Sequence, residues 1–273
     1  MTEAKAEPVV APPVIPTTPE GIREYLEKKS WWFEVPWGEV RSRHIGSKRL
    51  RLDADYYSAS AIQSRSILGA LSKTTEPLDS LAQVYTLGRF KRVYTRDPTK
   101  GHPYLQAEEV FAFRPTSEGN LAKKYAPTAE GHFAKEGWLL MSSSGSVGNL
   151  IYVTKMMEKY FLTHDLARII PREDVQKPVS PGYLWAYLAS PMFQAIVKPY
   201  GAVVPHIEAE HLQDLPVPRL SDGEEARIDS MVRKAWELRD EANRLLDEAV
   251  ETTEELIRNR AAKVKDRRNG DKL

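Results

Sequence analysis

The sequence lacks cysteine altogether, and its 273 residues contain no apolar run of transmembrane length. Without cysteine the chain can form neither disulfide bonds nor thiolate metal sites, which fits a reducing compartment. A membrane-spanning helix would need roughly 18 or more apolar residues in a row. The N-terminus also lacks the order of basic and then apolar residues that marks a signal peptide. These absences predict a soluble, cytoplasmic protein.

Signatures of catalysis and of cofactor binding are missing as well. The sequence has no HExxH zinc motif, no GxGxxG loop and no Asn/Asp-Pro-Pro-Tyr/Phe tetrapeptide of amino-group DNA methyltransferases. Residues 144–148 come near the nucleophile-elbow pattern, but Ser144 stands where its first glycine must be. We therefore predict a non-catalytic chain with no cofactor and no metal of its own. Two alternatives stay open: a metal site from His206 and His211, and an enzyme that depends on Ser146 or His206.

Charge is balanced overall but unevenly distributed. The net charge is only +1, yet residues 41–100 contain twelve Lys or Arg against five Asp or Glu. Residues 221–260 contain seven basic residues against twelve acidic ones. Such asymmetry fits a surface that faces a polyanion, although chance composition can also produce it.

Basic and aromatic residues interleave between Gly88 and Tyr104, on a predicted strand–turn–strand. Arginine can bind phosphate or read guanine, and Tyr or His can pack on sugars and bases. A second basic spot follows at residues 123–124, and the Ser/Gly loop near residue 145 could offer backbone donors to a phosphate. The candidate DNA-binding residues are Arg89, Lys91, Arg92, Arg96, Lys100, Lys123, Lys124, Ser144 and Ser146. A solvated basic loop is the alternative, and the sequence does not separate base readers from phosphate contacts.

Apolar periodicity predicts an α+β fold, with a small mixed or antiparallel sheet and packed helices. Helices are predicted at 18–29, 56–73 and 181–197, and a short turn or helix at 206–212. Extended runs are predicted at 84–85, 93–94, 110–113, 138–141, 150–153, 161–170 and 215–218. A hairpin with a Ser/Gly loop joins the runs at 138–141 and 150–153. Trp31, Trp32 and Trp37 form either a hydrophobic anchor or a base-stacking surface.

The strongest pattern is a long C-terminal helix. Ser221 and Glu224 fit a capping box, and the breaker-free pattern continues towards Gly270. A heptad seam predicts a dimer or partner contact, although the helix could instead fold back on its own domain. The seam residues are Ile228, Met231, Ala235, Leu238, Ala242, Leu245, Ala249 and Leu256. The predicted domains are a disordered Pro-rich tail (1–18), a globular domain (19–220), the long helix (221–262) and a basic flexible tail (263–273).

Four segments together resemble the specificity subunit of type I restriction–modification systems. They are residues 49–57, residues 137–153 around the Ser/Gly loop, residues 183–193, and residues 201–218, which lead into the long helix. The resemblance implies that residues 19–220 are a target-recognition domain and that the long helix is a spacer. It also departs from the family, whose usual members carry two copies of each part. We therefore expect a half-length form that pairs with a second, antiparallel copy.

The resemblance also implies partners and a reaction. A family member of this kind recognises a bipartite target in double-stranded DNA and directs an adenine-N6 methyltransferase to it. S-adenosylmethionine is expected in that partner, and a restriction motor-nuclease is a further expected partner. An alternative is a recognition module of another phage-defence complex, or a decoy that mimics a half specificity subunit.

Overall fold

The computed structural model describes residues 54–117, 119–127, 131–199 and 205–270, with side chains from 56 to 262. The predicted tail at 1–18, the predicted helix at 18–29 and the tryptophan cluster lie outside the described residues. The chain divides into two units, Met1–Ala59 and Ser60–Leu273. Of the first unit, the structure describes a 3-10 turn, Ala54–Tyr57. The contacts reported below belong to the second unit.

Ten short strands and seven α-helices make up the described residues. The strands are β1 (Thr75–Pro77), β2 (Ala82–Thr86), β3 (Tyr94–Thr95), β4 (Gly101–Leu105), β5 (Gly119–Ala122), β6 (Leu139–Ser142), β7 (Leu150–Tyr152), β8 (Phe161–Leu162), β9 (Leu166–Pro171) and β10 (Pro216–Pro218). The helices are α1 (Ala59–Ala70), α2 (Leu78–Leu81), α3 (Ala107–Phe111), α4 (Pro181–Leu188), α5 (Pro191–Ile196), α6 (Ala209–Gln213) and α7 (Asp222–Gly270). The α+β fold class and the long C-terminal helix predicted from the sequence are confirmed.

Two four-stranded sheets organise the globular region. The first has the order β2-β9-β6-β7 and is antiparallel throughout, and the second has the order β3-β5-β4-β8 with β4 and β8 parallel. Alternation along β6 sends Leu139 and Met141 into the main core, beside α4 and α5, and Leu140 into a second core that includes α3. Both faces of the first sheet are therefore covered, which explains why β6 reads as a continuous apolar run.

Several predicted elements differ from the structure. Residues 110–113 were predicted as a strand, but α3 occupies Ala107–Phe111 because Glu109 caps its N-terminus by accepting from the Gln106 N–H at 2.6 Å. The predicted strand at 161–170 is two strands in different sheets, β8 and β9. The predicted helix at 181–197 breaks where Ser190 caps α5 and Pro191 begins it.

One predicted pattern is found, and one predicted helix end needs correction. The strand–turn–strand predicted between residues 88 and 104 is present as β3 and β4, which each pair with β5 and not with one another. Helix α7 extends to Gly270, past the predicted end at residue 262, since residues 260–269 contain neither glycine nor proline. The predicted hairpin is confirmed, because β6 and β7 pair antiparallel across the Ser/Gly loop.

Helix α7 docks on the globular region through one face of its first half. The Glu225 carboxylate binds Arg219, Asp229 accepts from the Gly182 N–H, and Trp236 meets Trp185 edge to face at 5.7 Å. Further along, the docked face consists of Val232, Arg239, Asn243 and Asp247. Beyond this face, every residue from 248 to 262 is exposed. The helix thus folds back along its own domain, as one sequence interpretation proposed, but only in its first half.

The predicted seam lies on a different face. Met231 is 63% exposed, Leu238 57%, Leu245 51% and Leu256 64%. With about 100° of rotation per residue, the seam lies roughly 100° around the helix axis from the docked face. Docking therefore leaves the seam largely open to solvent. Of the seam, Ile228 is half-buried and packs against the main core, and Ala242 is half-buried.

Candidate nucleic-acid interface

Antiparallel pairing gathers three loops at one edge of the first sheet. β2 ends at Thr86 beside Ala167, β9 begins at Leu166 beside Ser142, and β7 begins at Leu150 beside Met141. The loops at residues 87–93, 143–149 and 163–165 therefore lie side by side. We call these three loops the loop edge. They contain five of the nine residues that the sequence predicts to bind DNA: Arg89, Lys91, Arg92, Ser144 and Ser146.

Arg92 is held by its neighbours at the loop edge. Its Nη2 donates to Asp165 Oδ2 at 3.2 Å and to Thr163 Oγ1 at 3.4 Å, and its Nη1 donates to Gln106 Oε1 at 3.4 Å. The guanidinium also lies 5.8 Å from the centre of the Tyr104 ring. The Arg92 side chain nevertheless keeps 32% of its surface exposed. It is oriented, and part of it still faces solvent.

Asp165 joins the three loops. Its Oδ1 lies 3.4 Å from His164 Nε2, and its Oδ2 accepts from Thr163 Oγ1 at 3.0 Å as well as from Arg92. The Asp165 carbonyl accepts the Ser143 N–H at 3.2 Å, which ties the turn at 163–165 to the Ser/Gly loop. Asp165 could not be singled out from the sequence, because its segment is predicted as a strand and not as the turn that exposes it.

The Ser/Gly loop is a hairpin turn in which most backbone N–H groups already donate hydrogen bonds within the protein. Gly145 and Gly148 adopt φ values of 71° and 99°, which favour glycine. The N–H groups of Gly145, Val147, Gly148 and Asn149 donate within the protein, and Ser144 forms a β-bridge with His206. Ser146 is exposed. Few backbone donors therefore remain for a phosphate, so Ser144 and Ser146 stay predictions of lesser weight.

The remaining cations fall into two groups. Arg89, Lys91 and Arg96 are exposed and form no hydrogen bond or ion pair with any residue that the structure describes. Lys100 pairs with Asp97 at 3.3 Å, and the nearby Lys123 donates to the Thr99 carbonyl at 3.0 Å, at the start of β4. Arg92 Nη1 contacts Gln106, just past the opposite end of β4, a strand about 13 Å long. Lys124 Nζ lies 5.4 Å from the centre of the exposed Tyr125 ring.

Most of the interleaved aromatic residues pack internally. Tyr104 is only 2% exposed, and the His102 ring stacks on Phe161 at 5.7 Å. The expectation that these rings pack on sugars or bases is therefore wrong for Tyr104, whereas Tyr94 is exposed. Burial lowers the pKa values of His102, His132 and His164 below their ordinary range. These histidines are consequently neutral structural groups at neutral pH.

Arg168 is a buried arginine that the sequence analysis missed. Its guanidinium is fully buried and donates to the carbonyls of Gly131, Thr163 and Leu166. Burial lowers its pKa to about 10. Arg168 thereby fixes the turn from which Asp165 reaches Arg92. The sequence signal that could have identified Arg168 is a single arginine within the apolar run of β9.

The metal-site alternative at His206 and His211 gains no support. His206 Nε2 lies 2.7 Å from Glu208 Oε1, and His211 Nδ1 accepts from the Glu208 N–H. Within the described ranges, no three His, Asp or Glu side chains are grouped so as to hold a metal ion. None of the helices described here is both long and apolar enough to cross a membrane.

Comparison with known proteins gives a partial structural likeness. The HsdS subunit of Thermoanaerobacter tengcongensis matches with a TM-score of 0.42 and 17% identity, over 70% of this chain and 47% of that one. The type I restriction–modification S subunit of M. genitalium matches with a TM-score of 0.38 and 13% identity, over 58% and 37%. A structure described for complex assembly and conformational transition of the type I system matches with a TM-score of 0.40 and 12% identity, over 77% and 62%.

These solved structures are of the type I system that the sequence segments resemble. The chain spans less than two thirds of the length of each of them. No protein-family model matches the sequence, and no curated protein matches it significantly.

Proposed function

We propose that this chain is a non-catalytic DNA-specificity subunit of the type I restriction–modification class. In this role it directs an adenine-N6 methyltransferase, and with it a restriction motor-nuclease, to a bipartite target in double-stranded DNA. Two copies act together, and S-adenosylmethionine is bound by the methyltransferase. The observation that carries the proposal is a globular region with a basic loop edge, joined through a fixed junction to a long helix with an open apolar seam.

The junction supports a DNA-recognition domain, here called the reader, that is held at a set angle to a spacer helix. Strand β10 pairs with β1, so the segment that leads into α7 is part of a sheet. Arg219 follows directly, and its guanidinium donates to both oxygens of Glu225, to Glu76 Oε1 at 3.0 Å and to the carbonyls of Lys177 and Pro178. A helix attached through so many contacts cannot swing freely, so it fixes the distance from one reader to whatever binds the seam.

The open seam supports a helical partner. Exposed apolar residues run from Met231 to Leu256, about 38 Å of helix at about 1.5 Å per residue. A soluble monomer rarely leaves so long an apolar stripe uncovered. Heptad spacing is the geometry that a second helix fills by knobs-into-holes packing. A second copy of this chain satisfies that geometry with its own seam.

Charge favours an antiparallel arrangement of two copies. A pairing that places Met231 opposite Leu256 also places residues 222–229 opposite residues 258–265. The first stretch contains four acidic residues and one basic residue, with Glu225 and Asp229 already bonded to Arg219 and Gly182 within the domain, and the second contains four basic residues and none acidic. A parallel pair would instead bring like charges together. Two readers at the two ends of an antiparallel pair suit a palindromic target with a spacer.

The loop edge supports DNA as the ligand. Arg89 and Lys91 are exposed cations free of described partners, next to the oriented guanidinium of Arg92. Free cations supply the sequence-independent attraction to phosphate, whereas oriented donors can read base edges. Both kinds of group thus occur on one surface.

The test is methylation-site sequencing of DNA from cells with and without this gene. We expect deletion to remove an adenine-N6 mark at one bipartite, palindromic motif. Re-introduction of the wild-type gene should restore the mark at the same motif. An unchanged methylation pattern in the deletion strain contradicts the proposal.

A further inference from the structure

Arg92 differs from the other cations of the loop edge in how it is held. Three acceptors from two parts of the chain, Thr163 and Asp165 in one turn and Gln106 just past the end of β4, fix its guanidinium. By contrast, Arg89 and Lys91 have no such partner among the described residues. The same surface therefore carries one oriented cation and two exposed cations without a described partner.

We infer that Arg92 is a specificity-determining residue that reads a base pair, and that Asp165 is the residue that positions it. The inference rests on the proposed function and assigns roles within its surface. A base edge is recognised only when donors are held at defined positions, because the acceptors of neighbouring base pairs differ by small displacements. A phosphate contact tolerates a mobile cation, since it needs charge and not orientation. Guanine, with its two acceptors in the major groove, is the base that arginine contacts most often.

The surroundings of Asp165 suit a positioning role. Both carboxylate oxygens are occupied, by His164 on one side and by Arg92 and Thr163 on the other. The turn that carries Asp165 is fixed from below by buried Arg168, which donates to the Thr163 and Leu166 carbonyls. Because the Asp165 carbonyl also accepts from Ser143, the position of the Arg92 guanidinium is set by three loops together.

Exposure is compatible with this role. The side chains of Arg92 and Asp165 keep 32% and 31% of their surface accessible. The guanidinium has five N–H donors, and the contacts to Asp165, Thr163 and Gln106 do not use all of them. Arg92 can therefore contact a base edge without leaving Asp165.

The experiment replaces the gene in its native host by variants and maps methylated adenines at base resolution. The variants are Asp165→Asn, which keeps the shape of the side chain but removes its charge, and Arg92→Lys, which keeps the charge but removes the fork of donors. Lys91→Ala is the matched control for an unoriented cation. The level and melting temperature of each variant protein are measured alongside.

We expect Asp165→Asn and Arg92→Lys to relax the motif at the same base pair of each half-site, with discrimination there reduced roughly 5- to 150-fold. The double variant should behave like Arg92→Lys alone, because Asp165 acts through Arg92. Lys91→Ala should lower methylation at all sites alike and leave the motif unchanged.

A motif that stays equally strict in both single variants, at normal protein level, overturns the inference and leaves the proposed function intact. Relaxation at different base pairs in the two variants also overturns it, since the two residues would then act separately. If the wild-type gene directs no methylation to any motif, the proposed function fails and the inference fails with it.

Discussion

The buried ion pair at the junction offers the most direct test of how the long helix is held. The side chains of Arg219 and Glu225 are each only 6% exposed, and Arg219 Nε donates to Glu225 Oε1 at 2.9 Å. Glu225 also accepts the Leu220 N–H at 3.0 Å. The substitution Glu225→Ala removes three hydrogen bonds and leaves a buried guanidinium with less compensation.

The expected loss of stability follows from that loss of charge balance. Removal of one partner of a buried pair costs roughly 3–5 kcal/mol. Arg219 keeps Glu76 at 3.0 Å and two backbone carbonyls, so we expect a value near the lower end, about 3 kcal/mol. For a chain of this size, that corresponds to a fall in Tm of roughly 6–12 °C.

Urea unfolding at a fixed protein concentration measures the effect, with tryptophan fluorescence as the signal because Trp185 and Trp236 meet across the helix interface. Glu237→Ala is the matched control on the same helix. Its pair with Lys234 is long, 3.5 Å, and largely exposed, so its loss should change stability by no more than about 1 kcal/mol. If Glu225→Ala destabilises the protein no more than Glu237→Ala does, the junction is not held in the way we describe.

Three further predictions concern packing, pH and assembly. Gly182→Ala places a Cβ 2.6 Å from Asp229 Oδ1 and should lower the free energy of unfolding, measured in urea, by roughly 1–3 kcal/mol. The control Gly223→Ala has nothing within 4 Å of its new Cβ and should be neutral or slightly stabilising. Equal effects of the two substitutions contradict the close contact at Gly182. Because burial lowers the pKa of His132 below its ordinary 6.5, its contribution to stability is present above about pH 6.5 and is lost as the pH falls below that value. Urea titrations across this range should show a weaker pH dependence for His132→Gln than for the wild type, and an identical one refutes the assignment. Leu238→Glu combined with Leu245→Glu should convert a dimer to a monomer in light scattering without a loss of helical circular dichroism, and a retained dimer rules out the seam as the interface.

Local sequence signals were sufficient where an element depends on neighbours in the chain. The start of α7 is such a case, because Ser221 and Glu224 satisfy each other's backbone and side-chain groups as the capping box requires. The Ser/Gly hairpin is another, since Gly145 and Gly148 supply the positive φ angles of its loop. The heptad seam could also be predicted from the sequence, because its spacing alone places Met231 and Leu238 on one face of the helix.

The same local signals did not predict the structure where it depends on contacts with residues far away in the sequence. The helix at residues 107–111 was mistaken for a strand because its apolar residues match both periods and the Glu109 cap was overlooked. Residues 161–170 divide between two sheets, and the turn between them is bonded to buried Arg168, whose partners include Gly131, far away in the sequence. The docked face of α7 was not separated from the seam, since Asp229, Asn243 and Asp247 look like ordinary solvent-facing residues until their contacts are known.

By itself the sequence determined the α+β class, the hairpin, the capped helix and its apolar seam, because hydrophobic periodicity, glycine and capping groups act over a few residues. It also supplied the basic residues of the candidate interface. Which of these residues meet depends on the fold. Antiparallel pairing brings residues 87–93, 143–149 and 163–165 to one edge, and only there can Asp165 orient Arg92. It also buries Tyr104 and leaves the seam uncovered, since both outcomes depend on contacts between segments far apart in the chain.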